Sequence, residues 1–229
     1  MINFKTILLM AIFGFASQNN LAQDWANLER YRDENAQLMK IDSNENRIVF
    51  MGNSITESWI HNRPKFFEGK SYVNRGIGGQ TTPQMLLRFQ QDVIDLKPSV
   101  VVILAGINDI AGNTGPMTTE ETYSNILSMT EMATSNHIKV ILCSVLPAKD
   151  FPWRPGLEPA LKVVKLNALL KKYVEDHNLV YVDYFSAMND GANGLRDILG
   201  YDGVHPNAMG YSIMEPLVEE GIAKALAMQ

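Results

Sequence analysis

Ser54 stands in I-V-F-M-G-N-S-I-T-E-S-W, residues 48–59, where strand-forming residues run through Gly-Asn-Ser into a helical pattern. A serine so placed has two readings: a helix cap that satisfies backbone N–H groups, or a nucleophile that a strand delivers to solvent. The second needs a base, because a hydroxyl is a poor nucleophile at neutral pH until a neighbour takes its proton. His205 is the histidine best placed to do so. It lies in Y-D-G-V-H-P-N-A-M-G-Y, residues 201–211, three positions after Asp202, whose carboxylate can fix the imidazole tautomer and stabilise its charged form. Gly203 and Pro206 help to define the turn that holds the pair; the competing reading is an aspartate capping the last helix beside a solvated histidine. His61, His137 and His177 fall in or at the ends of helical patterns and read as surface residues.

Attack on a carbonyl creates an oxyanion, which needs hydrogen-bond donors aimed at it. The backbone N–H groups of Ser54 and Gly79 and the side-chain amide of Asn108 can supply three. Gly79 lies in G-I-G-G-Q-T-T, residues 76–82, and Asn108 in A-G-I-N-D, residues 105–109. Glycine at 79 lets the backbone approach a substrate closely, and Gly106 frees the turn that presents Asn108. The alternatives are a turn asparagine bonding its own backbone and a merely flexible glycine loop. A phosphate cradle is disfavoured, because the loop lacks both the P-loop lysine and the G-x-G-x-x-G spacing. No His/Cys/Asp/Glu cluster has metal-ligand spacing, and hydrolysis by a serine needs no cofactor.

The elements that must position these groups are legible as five β-rich runs: residues 47–51, 71–75, 99–105, 138–145 and 179–184. The third is almost continuously apolar, as a central strand covered on both faces would be. Helical periodicity fills the intervals, over residues 81–96, 118–136, 161–177 and 208–228, with a leading helix over 25–39; T-T-E-E at 118–121 resembles a capping box. Strands alternating with helices predict a parallel sheet with helices on both faces. The clusters after the first three strands then open into one crevice. Residues 147–159 carry four prolines and read as a structured surface loop placed to touch substrate, with Trp153 and Arg154 the side chains of interest. A packed tryptophan and a solvated arginine are the competing readings.

A chain of 229 residues, 46% hydrophobic and 20% charged, suits one sizeable core. The net charge of −5 without a basic run argues against a nucleic-acid partner and against membrane-surface binding. Residues 1–22 read as a secretory signal peptide: one lysine, an apolar run from Ile7 to Ala16, then polar residues, with cleavage after Ala22 preferred over Ala16. That run falls short of the roughly 20 apolar residues of a membrane helix. Residues 23–229 form the expected mature domain, exported to the periplasm or the medium. The only cysteine, Cys143, sits in an apolar strand, so no intramolecular disulfide forms and the thiol reads as half-buried and inert. No cysteine near the leader offers a site for a lipid anchor, and no stable membrane anchor is expected.

The four clusters and their order resemble the SGNH hydrolases, the GDSL-type esterases and lipases, whose blocks are a GDS nucleophile turn, a glycine loop, a GxND turn and a late DxxH. The resemblance spans Ile48 to Tyr211. It implies Ser54 as nucleophile, Gly79 and Asn108 as oxyanion donors, and Asp202 with His205 as the rest of a triad. The family's GDS is here G-N-S, with Asn53 where aspartate is usual, a change that bears on turn geometry rather than on the triad. The implied fold is α/β: a three-layer α/β/α sandwich around a five-stranded parallel sheet, flavodoxin-like. The implied activity is hydrolysis of a carboxylic ester through an acyl-Ser54 intermediate, rising with pH as the histidine base loses its proton.

Relatives with G-I-G-G-x-T-T loops include platelet-activating-factor acetylhydrolase-like enzymes and acetylesterases acting on sugars. The resemblance therefore favours a short acyl group, acetyl above all. The chain has no long apolar insertion for a lid or a fatty-acyl tunnel. A small-molecule or glycan ester is the expected substrate. The alternatives are a lysophospholipase or thioesterase of the same fold, or an exported glycan-binding module without activity. The oligomeric state is left open.

Overall fold

β1 (Ile48–Gly52) and β3 (Val100–Leu104) are buried at all five positions each, which is why they read as unbroken apolar runs. In the computed structural model, which describes residues 24–41 and 46–228, they form the centre of a parallel sheet. β2 (Tyr72–Gly76), β4 (Lys139–Cys143) and β5 (Val180–Val182) complete it in the order β2-β1-β3-β4-β5. All pairings are parallel, as the alternation of strands and helices predicts. β5 is shorter than its sequence run and lies at the sheet's edge. The expected leader, residues 1–22, falls outside the described residues.

The helices in chain order are α1 (Arg32–Leu38), α2 (Ser54–Asn62), α3 (Pro64–Phe67), α4 (Thr82–Asp92), α5 (Ile107–Ile110), α6 (Thr119–Ser135), α7 (Pro159–Asp176), α8 (Tyr184–Met188) and α9 (Ala208–Ala227). α2 and α9 pack on one face of the sheet, while α6 covers β4 on the other between α4 and α7. This is the three-layer, flavodoxin-like α/β/α sandwich that the sequence implies. α6 begins with the expected capping box: Thr118 Oγ1 accepts from the Glu121 N–H, and Glu121 accepts from the Thr118 N–H.

The leading helix differs from expectation. Only Arg32–Leu38 is helical; residues 24–31 form turns. Two causes are visible. The Asp24 carboxylate accepts from the Leu28 and Glu29 N–H groups, an alternative to helical bonding. The carbonyls of Trp25, Ala26 and Leu28, which a helix would use, accept instead from the side chains of Gln84, Gln80 and Gln91.

Beneath α2 lies an aromatic cluster. Trp59 stacks on Phe66 with ring centroids 5.1 Å apart, and Phe50 meets Trp59 edge-on at 5.9 Å. Each such side chain contributes on the order of 1.5–3 kcal/mol by burial, so helix and strand are fixed to each other without a disulfide. Tyr211, on α9, donates its hydroxyl to the Ile55 carbonyl on α2 at 2.7 Å and so joins the two helices of this face. Cys143 is fully buried rather than half-buried, and burial pushes its thiol up to about 12, too high for a nucleophile.

Candidate active site

The strand register sets the site. Gly52 pairs with Gly76 on one side and Leu104 on the other, so β1, β2 and β3 end level with one another. Ser54, Gly79 and Asn108 follow those ends by two, three and four residues. In this strand order the chain reverses direction across the sheet between β1 and β3, the place where open α/β sheets hold ligands. The residues after these strands therefore converge because of topology.

Asn53 answers the question of what Ser54 does in its turn. Its side-chain oxygen accepts from the Ile55 N–H at 3.0 Å, so Asn53 is the N-cap of α2 and Ser54 is the first helical residue. An aspartate would present the same acceptor, so Asn53 keeps the turn. The Ser54 hydroxyl is left for another partner, the His205 Nε2 at 3.0 Å. Likewise Asn207, not Asp202, caps α9: its oxygen accepts from the Met209 and Gly210 N–H groups. One Asp202 oxygen meets the His205 Nδ1 at 2.8 Å, and the other accepts from the Val204 and His205 N–H groups at 3.0 and 2.8 Å. The loop closes where Tyr201 donates its N–H to the His205 carbonyl.

Partial burial pushes the Asp202 carboxyl up, but the hydrogen bonds from His205 and Val204 outweigh it and hold the group below the usual carboxylate range. It is therefore ionised wherever an imidazole titrates. A serine, an imidazole and a carboxylate in this order can move a proton from the hydroxyl to the ring and hold the resulting charge.

Three groups expected to be oxyanion donors keep N–H hydrogens to offer. The backbone N–H groups of Ser54 and Gly79 have no protein acceptor among the described residues. Asn108 is buried and donates one amide hydrogen to the Gln80 carbonyl at 3.0 Å, which fixes the plane of the amide and leaves its second hydrogen free. Gly79 has φ +75, and Gly106, at φ +119, has Leu166 only 2.6 Å from where a Cβ would stand; neither site admits a side chain without strain.

Several supports were not singled out from sequence. Glu57, one turn after Ser54 on α2, accepts the Gly78 N–H at 2.9 Å, and Asn113 donates to the Gly79 carbonyl at 3.1 Å, so the loop is held at both ends of its glycine pair. Asp109, buried beside Asn108, accepts from the Thr82 N–H and hydroxyl at the start of α4; burial pushes its carboxyl up, against those bonds. The signal available was spacing: Glu57 is i+3 from Ser54 on a helix, and Asp109 adjoins the proposed donor.

The proline-rich loop reaches this centre. Trp153 is about half exposed, with its ring centroid 5.6 Å from that of His205 and 5.3 Å from that of buried Phe151. Arg154 does not hang free: its Nη1 donates to the Ala111 and Gly112 carbonyls at 2.6 and 2.7 Å, clamping the loop to the turn after Asn108. Asp150 braces the loop from within by accepting the Phe151 and Gly156 N–H groups. His61, His137 and His177 are exposed, as expected.

The fold has counterparts among known proteins. Across 87% of this chain and 98% of its own, the crystal structure of a GDSL-like lipase from Bacteroides thetaiotaomicron VPI-5482 superposes with a TM-score of 0.84 at 48% identity. An acetylxylan esterase of Geobacillus stearothermophilus is 29% identical over 157 residues, 64% of this chain and 69% of that protein. The uncharacterized lipoprotein YqeF of Bacillus subtilis (strain 168) is 40% identical over 78 residues, only a third of either chain (33% and 32%). The profile of the GDSL-like lipase/acylhydrolase family matches residues 50–213, so the chain belongs to that family and is a hydrolase.

Proposed function

We propose that Ser54 attacks the carbonyl carbon of a short-chain carboxylic ester, acetyl above all, and that the alcohol released belongs to a carbohydrate. His205 takes the hydroxyl proton and returns it to the departing alcohol oxygen; it then takes a proton from water, which attacks the acyl-Ser54 carbonyl and frees the acid. Asp202 holds the imidazole in register, and the N–H groups of Ser54 and Gly79 with the Asn108 amide receive the oxyanion. The observation that carries the reading is the continuous chain from Ser54 through His205 to Asp202, at 3.0 and 2.8 Å.

Three things support the acetyl and carbohydrate parts. One relative is named an acetylxylan esterase. Trp153 offers a flat apolar ring beside the imidazole, a surface on which a sugar can stack. A cleft of about 310 Å³ beside Asp202, lined by Asp150, Asp190 and Asp197 among others, presents carboxylates that can accept from hydroxyl groups. The expected leader and a relative named as a lipoprotein support export of the mature chain. No helix among the described residues is long and apolar enough to cross a membrane.

The deciding experiment is a chain-length series of p-nitrophenyl esters, followed by acetate release from acetylated xylan, pectin and sialic acid. kcat/KM is expected to peak at acetate. A climb from acetate to octanoate would refute the acetyl assignment and favour the lysophospholipase reading; acetate release from none of the glycans would refute the carbohydrate one.

Asn108→Ala is expected to lower kcat by roughly 10²- to 10³-fold with little change in KM, because its free hydrogen meets charge only in the transition state. A change confined to KM would show that Asn108 binds substrate generally. Trp153→Ala is expected to raise KM for an acetylated glycan by about 2- to 10-fold, and to leave p-nitrophenyl acetate turnover nearly unchanged. Equal effects on both substrates would remove Trp153 from glycan recognition.

A further inference from the structure

Arg88 is fully buried on α4, and its guanidinium donates in three directions: Nε to the Gln80 Oε1 at 2.6 Å, Nη1 to Asp92 at 2.9 Å, and Nη2 to the Gly52 carbonyl at 3.0 Å. Two of these acceptors have a place in the site's frame. Gly52 is the last residue of β1, two before Ser54, and its carbonyl also takes the Ile77 N–H from the loop after β2. Gln80 follows Gly79 directly, and its own carbonyl holds the Asn108 amide. Its side chain is committed at both atoms, since Nε2 donates to the Ala26 carbonyl at 2.7 Å. One planar cation thus touches the root of the nucleophile turn and the residue that links the glycine loop to Asn108.

We infer that Arg88, acting through Gln80, is a positioning residue that sets the three oxyanion donors relative to one another. A buried ion pair is weak support for stability, because an apolar pair of the same volume often serves as well. The fork geometry supplies what an apolar pair cannot: fixed directions to a main-chain carbonyl and a side-chain amide at once. Donors aimed at developing charge lose their effect on small displacements, so the consequence belongs in kcat.

The inference rests on the proposed roles of Ser54, Gly79 and Asn108, and the test separates the two. Gln80→Met keeps the volume and removes both side-chain hydrogen bonds; Arg88 loses the acceptor of its Nε but keeps Asp92 as counter-charge and the Gly52 carbonyl. Arg88→Lys keeps a cation for Asp92 and gives up the fork. Both are assayed on p-nitrophenyl acetate well below their melting temperatures, and active sites are counted by stoichiometric phosphonylation taken to completion. Per titrated site, kcat is expected to fall by about 10- to 100-fold in each, with KM within about twofold and the pH midpoint unmoved.

A structural role alone would reduce the number of sites and leave kcat per site at its native value; that result overturns the inference, as does native kcat in Arg88→Lys. In the Asn108→Ala background, Gln80→Met is expected to cost much less than it does alone, since Gln80 acts partly through that amide. Full additivity would overturn it too. Ser54→Ala is the control: native turnover there would refute the nucleophile itself, whereas an inactive Ser54→Ala beside a fully active Gln80→Met would refute only the positioning role.

Discussion

Ser54→Ala is expected to lower kcat by about 10⁴- to 10⁶-fold while the melting temperature stays nearly unmoved. The two halves have separate causes. The hydroxyl is the group in line with the imidazole, and no other described side chain stands in hydrogen-bonding contact with His205 Nε2. The fold loses little, because the cap of α2 belongs to Asn53 and the Ser54 side chain has no partner but His205 among the described residues. Ester hydrolysis and thermal unfolding on the same sample check both. A fall in melting temperature of several degrees would mean that Ser54 also holds the turn, and undiminished turnover would mean that another group is the nucleophile.

Asp202→Asn is expected to lower kcat by about 10³- to 10⁴-fold. The oxygen that serves the Val204 and His205 N–H groups can be kept by asparagine, so the loop retains its shape. The other atom becomes an NH₂ group facing the His205 Nδ1. That nitrogen must then accept, which puts the ring proton on Nε2, where it points at the Ser54 hydroxyl instead of receiving from it. The depressed carboxyl also has a thermodynamic signature. Its stabilising contribution is present above the unfolded value of about 3.9 and is lost as pH falls through the lower folded value. Melting temperature against pH should therefore fall less steeply below about pH 4 in Asp202→Asn than in the native protein. A kcat within a few-fold of native would show that the imidazole needs no carboxylate partner here.

The sheet was legible because its central strands are apolar on both faces, and the candidate site because three of its four chemical clusters adjoin strand ends, where a parallel sheet must open, while the fourth directly precedes the last helix. What sequence could not decide was which neighbour caps which helix. Asn53 and Ser54 are both good caps, as are Asp202 and Asn207, and only backbone direction separates them. The first helix is shorter than its helical pattern predicts because the side-chain donors that compete for its carbonyl groups, Gln80, Gln84 and Gln91, lie more than fifty residues away. Arg88 and Asp92 went unread for a related reason. They sit on the apolar stripe of α4 with Met85 and Phe89, and a periodicity counted in apolar residues passes over two charges that are buried together. A four-residue spacing of opposite charges inside such a stripe is the mark that distinguishes them from a solvated pair.

Ser54 and His205 are separated by 151 residues, with β2 through β5 and the proline-rich loop between them. The pair cannot meet until the sheet has been laid down and the chain has returned across it to start α9. With Ser54 and His205 as the proposed reacting pair, assembly ends with chemistry: partly made or partly folded chains are expected to hold an ordinary alcohol at Ser54 and to hydrolyse nothing. Loss of the final helix should silence the enzyme even where most of the sheet survives. Contacts this distant in sequence are also slow to close, so competence for turnover should lag behind the appearance of secondary structure during refolding.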